Sequence, residues 1–397
     1  MKWVIGVSFG ELMLKGKNRM TFVHKSIAQI RKACEGYEIG RHHFDQGKLF
    51  LEANKEDFPA IIDRIKMVFG LSYVYPALMV EKNYDAIEEG IKELLKDDRE
   101  EKRTFKIQGN RADKTFEHNS MEIAAKVGGL VLKNFRNYKV DVKNPDRMIY
   151  VDIRSQAFLY YDRHKCIGGL PLGTGGRALL LLSGGIDSPV AGFEMARRGV
   201  EIGALHFHSY PFTSERARDK VKRLAEKLSI YVGDFRLYNI NLLNIYTAIN
   251  KNCRERYTTV IARRFMMRIG EIIANKDRYD GFITGEALGQ VASQTIQSIS
   301  VVNEASSLPI LRPLINMDKS DIIDIAEMIK TYDIAIEPYD DCCSFFAPDR
   351  PVTKPRLKDI LAEEEKLDID ALVKEALDTL EIETISVGHE DDSFSND

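Results

Sequence analysis

Hydrophobic and polar positions follow two different rhythms along this 397-residue chain. Up to about residue 165, short apolar runs and amphipathic stretches follow one another in an irregular α+β order. From Ala178 onward, apolar runs alternate regularly with helical patterns, as in βα units on a parallel sheet. The second region is organised around Ala178-Leu179-Leu180-Leu181-Leu182, a run apolar on both faces and therefore a central parallel strand. Ser183-Gly184-Gly185 breaks this strand abruptly, and Pro189 suits a first helical turn, which predicts a helix over 188–198.

In the front region the pattern predicts a strand over 4–9 and an amphipathic helix over 18–34, with Phe22, Ile27, Ile30 and Cys34 facing a core. A hairpin over 39–44 and 48–53 turns through Asp45-Gln46-Gly47, closing a first α+β domain at 1–59. His42 and His43 are adjacent on that hairpin and face opposite ways, which argues against a metal pair. A second α+β domain at 60–165 has helices over 60–68, 86–96 and 120–135, the last taken to be capped by Ser120. Its extended segments cover 71–80, 140–142, 148–153 and 157–162. Five glycines and a proline fall between Gly168 and Gly176, and make 166–177 a linker. The domain at 178–397 continues with strands over 201–207, 229–238 and 281–284, and helices over 214–227, 257–275 and 319–330.

Composition adds little to this picture: 44% hydrophobic and 29% charged residues are those of a globular protein. No apolar run approaches a membrane span, and the N-terminus turns polar too soon for a signal peptide. Five cysteines without framework spacing argue for reduced thiols and a cytoplasmic protein. Charge is asymmetric. Residues 1–165 carry 30 Lys+Arg against 24 Asp+Glu (+6), and residues 166–397 carry 27 against 36 (−9). A basic front half suits a polyanionic partner, although a solvated charged surface explains so small an excess as well.

A strand, a glycine loop and a helix N-terminus in succession make an anion site, because unpaired N–H groups converge there and the helix dipole favours negative charge. The ordinary P-loop string is absent. Ser183-Gly184-Gly185-Ile186-Asp187-Ser188 resembles instead the PP-loop of the ATP pyrophosphatases, which cleave ATP between the α and β phosphates and adenylate a substrate. That resemblance implies pyrophosphate on Ser183, Gly184, Gly185 and Ser188, with Asp187 near phosphate and Mg²⁺. A plain strand-to-helix turn with a Ser or Asp cap is the simpler alternative. The strand before the loop and the βα repeats after it favour the nucleotide site.

The string Phe105-Lys106-Ile107 through Arg111-Ala112-Asp113-Lys114, with Ser120-Met121-Glu122-Ile123, Val127-Gly128 and the run ending Ile149-Tyr150-Val151-Asp152-Ile153, resembles a THUMP RNA-binding domain. Lys106, Arg111 and Lys114 are then the candidates for tRNA phosphate contacts. Further on stand Gly285-Glu286-Ala287-Leu288-Gly289-Gln290-Val291-Ala292-Ser293-Gln294-Thr295, Arg312-Pro313-Leu314-Ile315, Met317-Asp318-Lys319 and Asp341-Cys342-Cys343. Together these strings resemble the tRNA 4-thiouridine synthetases over nearly the full chain. The resemblance implies a ferredoxin-like N-terminal domain, a THUMP domain and an α/β PP-loop ATP pyrophosphatase domain with a Rossmann-like parallel sheet.

It also implies a reaction. ATP adenylates the C4 oxygen of uridine 8 of tRNA, and sulfur from a cysteine-desulfurase persulfide displaces AMP. The implied nucleotide site is Leu181, Leu182, His206, Phe207, Arg263, Gly285 and Gln294. Arg263 would meet the α-phosphate, and Gly285 would let the main chain approach the ribose. Lys319 would stabilise a developing pentavalent phosphate, and Cys342 or Cys343 would carry the sulfur. On residue type alone, Lys319 reads as an exposed helix residue, His206 as packing, and Arg263 or Arg264 as a surface ion pair. Longer family members append a rhodanese domain, on which the role in thiamine thiazole synthesis depends. The roughly fifty residues after Cys343 are too few for one, so delivery from the desulfurase directly to Cys342 or Cys343 is expected. Oligomeric state stays open, with a homodimer as one option. The competing readings are another PP-loop tRNA-modifying enzyme and a non-enzymatic RNA-binding protein.

Overall fold

The computed structural model describes residues 1–98, 102–339 and 345–386. The chain divides into two compact units, Met1–Pro171 and Leu172–Asp397.

The first unit is built on one sheet. Its strands are β1 (Lys2–Phe9), β2 (His42–Asp45), β3 (Lys48–Leu51), β4 (Leu71–Val80), β5 (Arg103–Arg111), β6 (Tyr138–Val140), β7 (Arg147–Ile153), β8 (Ala157–Tyr160) and β9 (His164–Lys165). Their order is β2-β3-β1-β4-β8-β7-β5-β6, with β9 also on β4. β4 pairs antiparallel with both β1 and β8, so the ferredoxin-like and THUMP-like halves share a continuous ladder. The expected boundary at 59/60 falls inside a helix, Phe58–Lys66. Helices α1 (Arg19–Ala33) and α2 (Phe58–Lys66) close a core over Ile5, Val7, Leu49 and Leu71. In that core Ile30 and Cys34 are buried, and Phe22 and Ile27 pack at its margin. Helices α3 (Tyr84–Leu94) and α4 (Ser120–Asn134) cover Leu78, Phe105 and Ile149.

The other face of this sheet curls onto itself. β3 and β7 stand four places apart in the strand order, which is about 19 Å in a flat sheet. Yet Lys48 on β3 pairs with Asp152 on β7 and donates to Tyr160 Oη at 2.9 Å. Phe50 stacks on Phe158 with ring centroids 3.7 Å apart, and Tyr75 on Tyr160 at 4.0 Å. Arg154 Nη1 reaches the Asp45 carbonyl at 2.7 Å. Apolar stacking drives this closure; the nearly dry ion pair adds register more than stability.

The N-cap of α4 is Asn119, one residue earlier than expected. Its side chain accepts from Met121 and Glu122 N–H, and Glu122 returns to the Asn119 N–H at 2.8 Å, completing a capping box.

The second unit carries β10 (Arg177–Leu181), α5 (Asp187–Arg197), β11 (Glu201–His208), α6 (Glu215–Val232), β12 (Phe235–Asn241), α7 (Leu243–Asn252), α8 (Thr258–Asp277), β13 (Gly281–Ile283), α9 (Ile296–Asn303), β14 (Ile310–Leu311), α10 (Lys319–Met328) and β15 (Glu381–Ile385). The sheet order is β14-β13-β10-β11-β12-β15, parallel except for β15, which runs antiparallel to β12. From β10 the chain first adds β11 and β12 on one side, then β13 and β14 on the other. The switch point of the sheet therefore lies at the carboxyl end of β10, where open α/β sheets bind ligands.

The strand expected over 229–238 begins only at Phe235. Ala217, Val221, Leu224, Ala225 and Leu228 form a buried helical stripe that continues through Ser229 and Tyr231. This packing overrides the β preference of Ile230-Tyr231-Val232. Gly233, with φ +74, ends the helix. Among the described residues, no helix is long and apolar enough to cross a membrane.

Candidate functional site

The loop after β10 is held open by its own hydroxyls. Ser183 N–H donates to Ser188 Oγ at 2.9 Å, and Gly185 N–H donates to Ser183 Oγ at 3.2 Å. Ser188 Oγ donates in turn to the Ser183 carbonyl at 3.2 Å. A Cβ on Gly185 would meet only Ser183 Oγ, at 3.4 Å. The glycine thus leaves room above the loop rather than relieving a turn, which is the shape a phosphate requires at the N-terminus of α5.

Asp187, the first residue of α5, faces a cation that lies 132 positions later in the chain. Lys319 Nζ lies 2.5 Å from Asp187 Oδ1, and Gln290 Nε2 donates to Asp187 Oδ2 at 3.0 Å. Lys319 opens α10, and its side chain is 41% exposed, so the ammonium is reachable from solvent.

Gly285 follows β13 and packs against the start of α5. A Cβ there would lie 2.8 Å from both Asp187 C and Ser188 N. The close approach that requires glycine here is to the loop's own backbone. Beside it, buried Glu286 clamps two guanidiniums. Arg263 Nη1 donates to Glu286 Oε1 at 2.8 Å and Arg312 Nε to Glu286 Oε2 at 2.5 Å, while Thr284 Oγ1 adds a bond at 3.2 Å. Glu286 and Arg312 stand in the motif strings above, but residue type and spacing assign neither a role. Their only sequence signal was a lone acid and a lone base in otherwise neutral strings. Arg264, read as a possible surface pair, is 1% exposed and bonds Glu364 at 2.9 Å and the Val301 carbonyl at 2.6 Å.

His206 and Phe207 are buried at the end of β11. His206 Nδ1–H donates to the Leu182 carbonyl at 3.0 Å, tying the ends of β10 and β11 together across the switch point. Because a carbonyl only accepts, the ring proton sits on Nδ1. The Leu182 N–H donates to the Leu205 carbonyl at 2.9 Å, a second tie between the ends of the two strands. Leu181 is half-buried beside it. Gln294 is 7% exposed, and its Oε1 has no hydrogen-bond partner. A buried acceptor without a donor is costly, and a ligand N–H or O–H would satisfy it.

Cys342 and Cys343 lie outside the described residues. Of the other thiols, burial pushes Cys34 up to about 11 and Cys166 up to about 12, and also raises Cys253. In the first unit, Lys106 Nζ donates to the Val142 carbonyl at 3.2 Å, and Lys114 is exposed. The Arg111 guanidinium donates to the carbonyls of Lys114 and Phe116 at 2.5 and 2.6 Å. It therefore shapes the loop that presents Lys114.

A phosphate loop at the switch point, with an acid–base pair at its helix start and two clamped guanidiniums beside the glycine packed against it, defines a PP-loop nucleotide-dependent enzyme. Family models for "Thiamine biosynthesis protein (ThiI)", the THUMP domain and the ThiI ferredoxin-like domain match residues 173–369, 81–162 and 4–74. A protein named "Probable tRNA sulfurtransferase" from Finegoldia magna is 54% identical, over 96% of this chain and 98% of its own. Another of that name from Alkaliphilus oremlandii is 47% identical, over 98% and 100%. A solved 4-thiouridine synthetase–RNA complex with bound ATP superposes with a TM-score of 0.87 and 35% identity, over 97% of this chain and 100% of that one. The chain belongs to the tRNA sulfurtransferase family.

Proposed function

We propose that this protein uses ATP to convert uridine 8 of tRNA into 4-thiouridine. The observation that carries the reading is the Lys319–Asp187 pair set across the Ser183–Ser188 loop. The bound ATP and RNA of the related 4-thiouridine synthetase support it. The uridine C4 oxygen attacks the α-phosphate and pyrophosphate leaves into the loop. Ser183, Gly184, Gly185 and Ser188 receive the β and γ phosphates, which take over the N–H and hydroxyl donors that bond within the loop. Lys319 stabilises charge that grows on the phosphate oxygens in the transition state.

Sulfur then enters from a persulfide on Cys342 or Cys343, loaded by a cysteine desulfurase. Its terminal sulfur attacks C4 and AMP leaves. The neighbouring cysteine thiolate attacks the carrier sulfur and releases 4-thiouridine, leaving a cysteine disulfide that an external thiol reductant reopens. The raised thiols of Cys34 and Cys166 support this assignment, since a sulfur carrier needs an accessible thiolate. Mg²⁺ would sit on Asp187 and the phosphates and neutralise charge there. Reduced thiols are in keeping with a cytoplasmic site of action.

Reconstitution with unmodified tRNA, ATP, Mg²⁺, cysteine, a desulfurase and a thiol reductant tests the reading, with nucleosides assayed after digestion. ATP-dependent 4-thiouridine is the expected product. AMP and pyrophosphate without a thiolated nucleoside would overturn the sulfur-transfer half, and absence of any ATP turnover would overturn the whole.

A further inference from the structure

Beyond the carboxyl end of β11 the chain turns through 209–213 on a dense hydrogen-bond frame. Ser209 N–H donates to Thr213 Oγ1 at 3.0 Å, and Phe212 N–H to the Ser209 carbonyl at 2.8 Å. Tyr210 N–H donates to His208 Nδ1 at 3.3 Å, and Asn241 Nδ2 to the Tyr210 carbonyl at 3.0 Å. On this frame Tyr210 and Phe212 are 48% and 55% exposed. Phe345 arrives from far along the chain, is 51% exposed, and sets its ring 5.4 Å from Phe212. Phe346 anchors it, stacking on buried Tyr246 at 4.4 Å and 12°.

Aromatic faces gathered in water on a braced support mark a binding surface, because exposed apolar area is otherwise unfavourable. Two facts indicate what binds. β11 is the immediate neighbour of β10, so the patch lies along the same carboxyl edge as the phosphate loop. Phe345 also follows Cys342 and Cys343 by three and two positions in the sequence.

We propose that Phe212 and Phe345 form the stacking surface for the tRNA base that receives sulfur. The proposal rests on the thiolation reading above. A base buried in folded tRNA must leave its stack before C4 can be attacked, and an aromatic face replaces the stacking it loses. Such a surface holds the base on the carboxyl edge that carries the phosphate loop without needing hydrogen bonds to the ring.

The test compares wild type with Phe212→Ala, Phe345→Ala and the corresponding Trp variants, using either desulfurase plus cysteine or inorganic sulfide as the sulfur source. Each Ala change should lower kcat/KM for tRNA by roughly 10- to 100-fold with both sources. ATP binding should stay unchanged, and Trp should restore most of the activity. In a second arm, tRNA carrying 4-thiouridine at the target position is irradiated in complex with the protein. Cross-links should map to 209–213 or 345–346. Ala variants as active as wild type, or cross-links confined elsewhere, overturn the proposal. A loss seen with the desulfurase but not with sulfide makes the patch a protein-docking surface and equally overturns it. A wild type that makes no 4-thiouridine from either source removes the underlying reading as well, so the two failures are distinguishable.

Discussion

Lys319 and Asp187, 132 positions apart in sequence, place an ammonium nitrogen and a carboxylate oxygen 2.5 Å from each other at the mouth of the phosphate loop. Each is the first residue of its helix, so two helix N-termini bring their partial positive charge to one place. The carboxylate holds the lysine at the loop, and on the proposed function an incoming polyphosphate would compete with Asp187 for it.

Lys319→Gln should therefore act on chemistry more than on folding. Its side chain is 41% exposed, so the pair contributes little to stability. Losing a charge that stabilises the transition state costs about 10²–10³ in kcat. Single-turnover adenylation should show this loss, with melting temperature unchanged and only a modest change in ATP affinity. A variant adenylating at the wild-type rate would remove Lys319 from the mechanism.

Glu286→Ala should behave in the opposite way. It leaves Arg263 and Arg312, with side chains 22% and 11% exposed, facing each other without their shared acid. Removing one partner from a mostly buried charge cluster costs about 3 kcal/mol. Urea unfolding should report this loss, together with weaker ATP binding as Arg263 loses its orientation. Glu286→Gln keeps one acceptor and should recover part of both. Equal stability of wild type and Glu286→Ala would show that the clamp is not structural.

How much of this was legible beforehand differs between fold and site. The βα rhythm, the strand of leucines and the Ser183–Ser188 loop were readable because each depends on neighbours in sequence. The Glu286 clamp was not, since Arg263, Glu286 and Arg312 come from a helix and two loops that only the sheet brings together.

The thiols give a third expectation. With Cys34 pushed up to about 11 and Cys166 up to about 12 by burial, neither is a thiolate near neutrality. Iodoacetamide at about pH 8 should leave both unmodified in the native protein and label them on unfolding. Peptide mass mapping distinguishes the two states, and rapid native labelling of Cys34 would contradict their burial.

A fourth expectation concerns pH. Burial, with smaller contributions from His206 and Arg218, holds His208 down at about 4. An unfolded histidine titrates near 6.5, so between these values the unfolded chain binds more protons than the native one. Stability from this residue is complete above about 6.5 and is lost as pH falls towards 4. Unfolding free energies across that window should fall less steeply for His208→Gln than for wild type. Identical slopes would show that His208 does not contribute.

By itself the sequence determined the elements and the family: apolar runs of set period make strands and helices, and a glycine loop between them makes a phosphate site. Tertiary structure decided the rest. It extended α6 through residues with a strand preference, because the buried stripe from Ala217 to Tyr231 outweighs local propensity. It made Arg111 a brace for the loop that carries Lys114, because two backbone carbonyls lie within its reach. It curled the first sheet until Lys48 met Asp152, and set Lys319 against Asp187. Such pairings depend on which distant side chains share a small space, and a one-dimensional pattern carries no term for that.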